Sequence, residues 1–169
     1  MNIFFHLKKV DSHHSDDDRY ETILITPCLN ERTVFPEVMR DTCIKLIQHE
    51  QEQEQGQVQG QRSNTDTHKD SHKKKAKNEH WAKVQVIEKA VSVDKLMKWI
   101  ENKQIIEIFA TDSVNVTTKI QKISCKNRGH IYEQSIQQET PWLSQQLRNH
   151  ILDMQHGVIE HPWSVVAVV

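Results

Sequence analysis

One stretch limits every fold this chain can adopt. From Gln48 to His80 the sequence is built of Gln, Glu, Ser, Asn, Lys and His, and Val58 is the only branched aliphatic residue between Ile47 and Val84. Such a segment cannot bury enough apolar surface to offset the entropy of ordering it, so it is expected to be a disordered insert. That leaves roughly 135 residues, in two blocks, to build a single core. The organisation read from this is 1–47, the insert 48–80, and 81–169. The His68/His72 pair would suit a metal only on a helix that this composition disfavours. The Lys73-Lys74-Lys75 run could meet a polyanion, but it reads as a solvated loop.

Composition excludes several classes of function. A formal net charge of −1 gives no electrostatic case for a nucleic-acid partner. No apolar run approaches the ~18 residues of a membrane span, so a soluble protein is expected. The three cysteines, Cys28, Cys43 and Cys125, have no CxxC or other metal spacing. They read as reduced thiols in a reducing compartment, and a cytoplasmic location is expected. No metal site is expected. His13-His14 and Asp16-Asp17-Asp18 carry ligand types, but they lie in a polar stretch that reads as a hairpin loop.

The apolar patterns give alternating strands and helices. Asn2 to Leu7 and Tyr20 to Thr26 read as the two arms of an antiparallel hairpin. Pro36 is placed to open a helix, with Met39, Cys43, Leu46 and Ile47 along one face. Backbone amides at Glu37, Val38 and Met39 would then be free donors at a helix start, a place that suits an anion. Val84, Val86 and Ile87 mark a further strand. Ser92 is a good N-cap for a helix with Val93, Leu96, Met97 and Ile100 on its core face. Ile105 to Phe109 is a short apolar run suited to a strand buried on both faces. It is expected to stop at the small polar turn Ala-Thr-Asp-Ser, a second possible anion-binding turn. A strand with Val114, Val116, Thr118 and Ile120 on one face should follow, then a turn at Lys126–Gly129. A last helix is expected from Thr140-Pro141, with Leu143, Leu147, Ile151 and Met154 inward and Gly157 as its stop, and a terminal strand over 163–169. The fold class is mixed α+β.

Several blocks resemble one family in order and spacing. Thr26-Pro-Cys-Leu-Asn30, Val34-Phe-Pro36 and Arg40-Asp41 are similar to the "TPPLNG…ILPGVTRD" block of branched-chain amino acid aminotransferases. Glu107-Ile-Phe109 is similar to "REIFGSGTA", Leu152-Asp-Met-Gln-His-Gly157 with Trp163 to "DIQYG…W", and Met1-Asn-Ile-Phe-Phe to an internal "EVGTMNLF". The family consists of pyridoxal-phosphate enzymes of fold type IV that move an amino group from Leu, Ile or Val to 2-oxoglutarate. The resemblance implies the C-terminal domain of a D-amino-acid/branched-chain aminotransferase-like fold, incomplete at its N-terminal edge. The Schiff-base lysine, the cofactor-holding tyrosine and arginine, and the glutamate on the cofactor ring all belong to family segments upstream of Met1.

By the same resemblance, half of a phosphate cup is present: the amides of Val38 and Met39, with Ser113 where the family has Thr. Ser113 and Val114 would border the substrate carboxylate. Glu37 and Asp112 stand where the family has glycines, and both put a carboxylate where the anion would lie. Asn115 and Thr118 stand where some family members carry a redox CxxC. No catalytic residue carries over. The expectation is a chain that is inactive by itself and does not bind pyridoxal phosphate. The alternative is a non-catalytic remnant that serves as an interaction or dimerisation module, as a homodimer or with an intact relative. A mitochondrial location is implied if an upstream transit segment exists.

Overall fold

The computed structural model describes residues 1–9, 20–29, 36–60, 81–127, 130–135 and 143–163. Most of the hairpin loop expected over Lys8–Asp18, residues 61–80 of the expected insert, the entry into the last helix and most of the strand expected over 163–169 lie outside them.

The fold is α+β. Strands β1 (Asn2–Lys8), β2 (Thr22–Thr26), β3 (Val84–Glu88), β4 (Ile105–Asp112) and β5 (Val116–Lys119) form one sheet in the order β3-β2-β1-β4-β5. β1 runs antiparallel to both β2 and β4, and β4 antiparallel to β5, whereas β2 and β3 are parallel. A parallel pair needs a crossover, and helix α1 (Val38–Gly60) lies in the connection that makes it. β6 (Lys122–Asn127) and β7 (His130–Ser135) form a separate antiparallel hairpin, where a turn was expected at Lys126–Gly129.

The period of two sorts the strands onto two faces. One face carries Phe4, Leu24, Val84 and Phe109, buried beneath Cys43, Ile44, Leu46 and Ile47 of α1 and beneath Leu143, Leu147, Ile151 and Met154 of α3 (Leu143–Gln155). Phe4 and Phe109 are register partners whose rings stack at 5.1 Å. The opposite face carries Phe5, Leu7, Ile25 and Ile108 against Trp99 of α2 (Val93–Glu101). Ser92 caps α2 as expected, its hydroxyl accepting from the Lys95 amide. Gly157, at φ 70°, ends α3 by placing the Gly157 and Val158 amides on the carbonyls of Met154 and Asp153.

Three features differ from the sequence reading. α1 does not stop at Ile47 but continues to Gly60. Gln and Glu are good helix formers, and Gln51 fixes the extension by donating to the Val84 carbonyl at 2.6 Å. β4 runs on through Ala110 and Thr111 to Asp112, because both are fully buried and paired with β1 and β5. The third is the alternation expected over Val114–Ile120. Val114 is in the turn, 87% exposed, and only Val116 is buried there, while Thr118 faces solvent. The cause is backbone geometry: Val116 has φ 66°, and the Thr117 amide donates to the Asn115 carbonyl at 2.8 Å, a γ-turn that resets the pleat.

Two polar side chains are fully buried between the sheet and α3. His6 and Glu107 are register partners. The register shifts beside them, with Leu7 opposite Ile105, so β4 carries an extra residue and bulges. The Glu107 carboxylate accepts from the Leu143 and Ser144 amides, both at 3.1 Å, and from the Ser144 hydroxyl at 2.6 Å. It also faces His6 Nδ1 at 3.3 Å, and the other ring nitrogen of His6 meets the Thr22 hydroxyl at 2.9 Å. A carboxylate can only accept, so Nδ1 carries a proton. The first amides of α3 are thus satisfied by a side chain from the sheet, in place of a local cap. Burial pushes the Glu107 carboxyl upward, but hydrogen bonds from His6 and Ser144 outweigh it and leave the group below its usual range.

Removing this carboxylate should be costly. Glu107→Ala is expected to lower stability by about 3–5 kcal/mol, because four buried donors lose their acceptor at once. Glu107→Gln should cost less, about 1–3 kcal/mol, since it turns one acceptor into a donor facing donors. Because the folded carboxyl is depressed, its contribution is complete above the ordinary glutamate value and is lost as pH falls through the depressed one. Urea titrations between pH 3 and 7 check both the size and the sign, and equal acid sensitivity in wild type and Glu107→Gln would contradict them.

Candidate functional site

The residues singled out for an anion cup do gather at one end of the sheet. Asn2, at the start of β1, pairs in register with Thr111 near the end of β4. Its side-chain amide donates to Glu37 Oε2 at 2.7 Å, so one residue bridges the β4–β5 turn region and the start of α1. Glu37 precedes the helix, and its carbonyl accepts from the Asp41 amide at 3.1 Å as the first helical bond. Val38 is 74% exposed, Met39 is half-buried against the core, and Ser113 and Val114 are exposed in the turn. The elements that carry these residues therefore meet at one end of the sheet.

The turn amides are already taken. Asp112 Oδ1 accepts from the Val114 amide at 2.8 Å and from the Asn115 amide at 2.7 Å. The Asn115 side chain and the Thr118 hydroxyl lie 3.3 and 3.4 Å from Oδ2. The backbone amides of Asn115 and then Val114 are what hold the Asp112 carboxyl below its usual range. α3 supports this arrangement, with Arg148 Nε donating to the Asn115 carbonyl at 3.2 Å and the Thr117 hydroxyl donating to the Ser144 carbonyl at 3.1 Å. A phosphate approaching the turn meets a carboxylate in the place where it needs donors. At the α1 start it meets a second, Glu37, whose carboxylate is turned to Asn2. The residues present do not fit the phosphate of pyridoxal phosphate.

Other polar groups nearby have structural roles. Arg40, 3% exposed, donates through Nη2 to the Pro27 carbonyl at 2.9 Å and to Glu88 at 2.6 Å, closing the ends of the parallel β2–β3 pair. Cys43 is buried in the core, and burial followed by the charge of Glu37 pushes its thiol up to about 12, which makes it a poor nucleophile. No group of three or more metal-ligating side chains forms among the described residues, and no helix among them is long and apolar enough to cross a membrane. His13, His14, Asp16, Asp17, Asp18, His68 and His72 lie outside the described residues.

Sequence reasoning missed the His6–Glu107–Ser144 network. The signal was there: Glu107 interrupts Ile-Ile-Glu-Ile-Phe, and His6 interrupts Ile-Phe-Phe-His-Leu, so each polar side chain sat in a strand with no solvent face to use.

Comparison with known proteins gives a distant sequence match. The chain is 23% identical over 146 residues to a branched-chain-amino-acid aminotransferase of Dictyostelium discoideum. That alignment covers 86% of this chain and 30% of the relative, so the chain spans less than a third of the relative's length. No protein-family model matches.

If carboxylates close the cup, removing them should reopen it. The double variant Glu37→Gly, Asp112→Gly is expected to bind inorganic phosphate at low salt, with heat detectable by titration calorimetry, where the unaltered chain gives none. Tighter binding by the unaltered chain would contradict the geometry.

Proposed function

We propose that this chain is an aminotransferase-like domain of the branched-chain type that does not transfer amino groups itself. The observation that carries this reading is the pair of bonds from the Val114 and Asn115 amides to Asp112, which occupies the donors that a cofactor phosphate would use. The family's cofactor, pyridoxal phosphate, would supply an electron sink for amino-group transfer when bound, but here it would have to displace an internal carboxylate. Among the described residues, Lys89 is a lysine shifted downward, by partial burial and then by Lys95 beside it, and it lies just past the end of β3, away from the cup. The full chain, incubated with pyridoxal phosphate, leucine and 2-oxoglutarate, should form no glutamate and should give no borohydride-stable lysine adduct. Turnover, or one protected lysine, would overturn the proposal.

A second reading, a pairing module, draws support from the exposed apolar residues Val38 and Val114 at the cup end, 74% and 87% exposed. They suit a contact with a second copy or with an intact aminotransferase. Sedimentation of the chain alone, and of Val38→Lys with Val114→Lys, checks the homodimer. An assembly unchanged by both lysines would place the contact elsewhere.

A further inference from the structure

Where the segment after α3 meets the middle of α1, histidine and tryptophan rings come together. His161 lies after the α3 stop. Its ring sits 5.8 Å from His49 of α1 and 4.5 Å from Trp163, edge-on in both cases. His150 of α3 packs edge-on against Trp81 at 5.1 Å, and Trp81, 1% exposed, donates its indole N–H to Gln146 at 2.6 Å. Between Gly157 and Trp163 the chain turns back over these helices, with Ile159 resting on the core. None of these residues takes part in the cup.

One hydrogen bond at this corner can exist in only one protonation state. The Trp163 amide donates to His161 Nδ1 at 3.3 Å. An acceptor nitrogen cannot carry a proton, so the imidazole is neutral with its proton on Nε2. Protonating Nδ1 abolishes that bond and places a positive charge beside the His49 ring. We propose that the His161–Trp163 corner is an acid-released clasp, closed on α1 and α3 while His161 is neutral and opened when it is protonated.

The surrounding charges set the threshold. From α1, His49 and Glu50 face His161; from α3, His150 does, with Asp153 beside it. Burial first, and then His49, holds His161 below the ordinary histidine value, against the pull of Glu50. His150 is lowered as well, by burial above all, with Glu50 and Asp153 opposing and His161 adding to the effect. His161 therefore binds fewer protons while the clasp is closed. The sign follows: closure is fully stabilised above the ordinary histidine pKa and weakens as pH falls through it toward the depressed value.

Hydrogen–deuterium exchange of the amides between Gly157 and Trp163 tests the clasp in the full chain, at pH 8 and pH 5 with rates corrected for intrinsic chemistry. Protection should fall roughly tenfold or more at pH 5, about 1.4 kcal/mol of closure, while the β1 and β4 amides stay protected. His161→Asn supplies the control. Asn can accept from the amide two residues on but does not titrate, so its clasp should remain closed at pH 5. Wild-type protection that is the same at both pH values, or lost equally in His161→Asn, would overturn the proposal. An NMR titration of wild type reads the same event without a variant. The Trp163 amide shift should follow His161 protonation, and an independent midpoint would also overturn it.

Discussion

The Glu107 carboxylate is the point on which the two halves of this molecule meet. It sits on the central antiparallel pair, fully buried, and is the acceptor for the first two amides of α3 and for the Ser144 hydroxyl. α3 in turn supplies four residues to the main core and holds Trp81 through Gln146 and the β4–β5 turn through Arg148 and Ser144. A buried carboxylate is tolerated only when its desolvation is repaid by donors, and here backbone amides, a hydroxyl and an imidazole all converge on it. The bulge beside Leu7 gives β4 the local freedom to aim Glu107 at the helix. Helix position, core closure and turn shape thus share one electrostatic anchor.

The same chemistry explains why the opposite end of the sheet has become a closed structure. Backbone amides in a tight turn need an acceptor, which can be an external anion or an internal carboxylate. With Asp112 at the last position of β4, the internal solution is always at hand and carries no cost of bringing in a second molecule. The γ-turn at Val116 adds to this, because a β-branched residue at positive φ is a strained choice that survives only when its surroundings hold it. Here Val116 is buried in the core, and the Asn115 carbonyl is held by both Arg148 and the Thr117 amide. Glu37 finds its partner in Asn2 and leaves the α1 amides without a carboxylate cap from its own side chain.

Much of the architecture could be read from residue order. The alternation in Asn2–Leu7 and Thr22–Thr26 gave a hairpin, the i, i+4, i+7, i+8 stripe in α1 gave its buried face, Ser92 gave a helix start, and Gly157 gave a helix stop. These are local effects, in which periodicity and capping act within a few residues of the signal. The strand after Asp112 was misread because φ at Val116 is not a property of valine, and alternation assumes an unbroken pleat. The length of α1 was misread for a different reason. Poor hydrophobicity argues against an independent fold, but a helix already nucleated on the core can extend through Gln and Glu at little cost.

What the sequence determined by itself was most of the elements, the buried faces of the helices, and the acidic residues Glu37 and Asp112 before α1 and after the apolar run of β4. Those follow from side-chain size, polarity and spacing, all of them written in order along the chain. Tertiary structure alone decided which donors each carboxylate would take: Glu107 reaches 37 residues forward to Ser144, Asp112 only two and three residues to Val114 and Asn115, and Glu37 back 35 residues to Asn2. A carboxylate accepts from whatever N–H or O–H lies within 3 Å or so, and that neighbourhood exists only once the sheet has paired and the helices have packed.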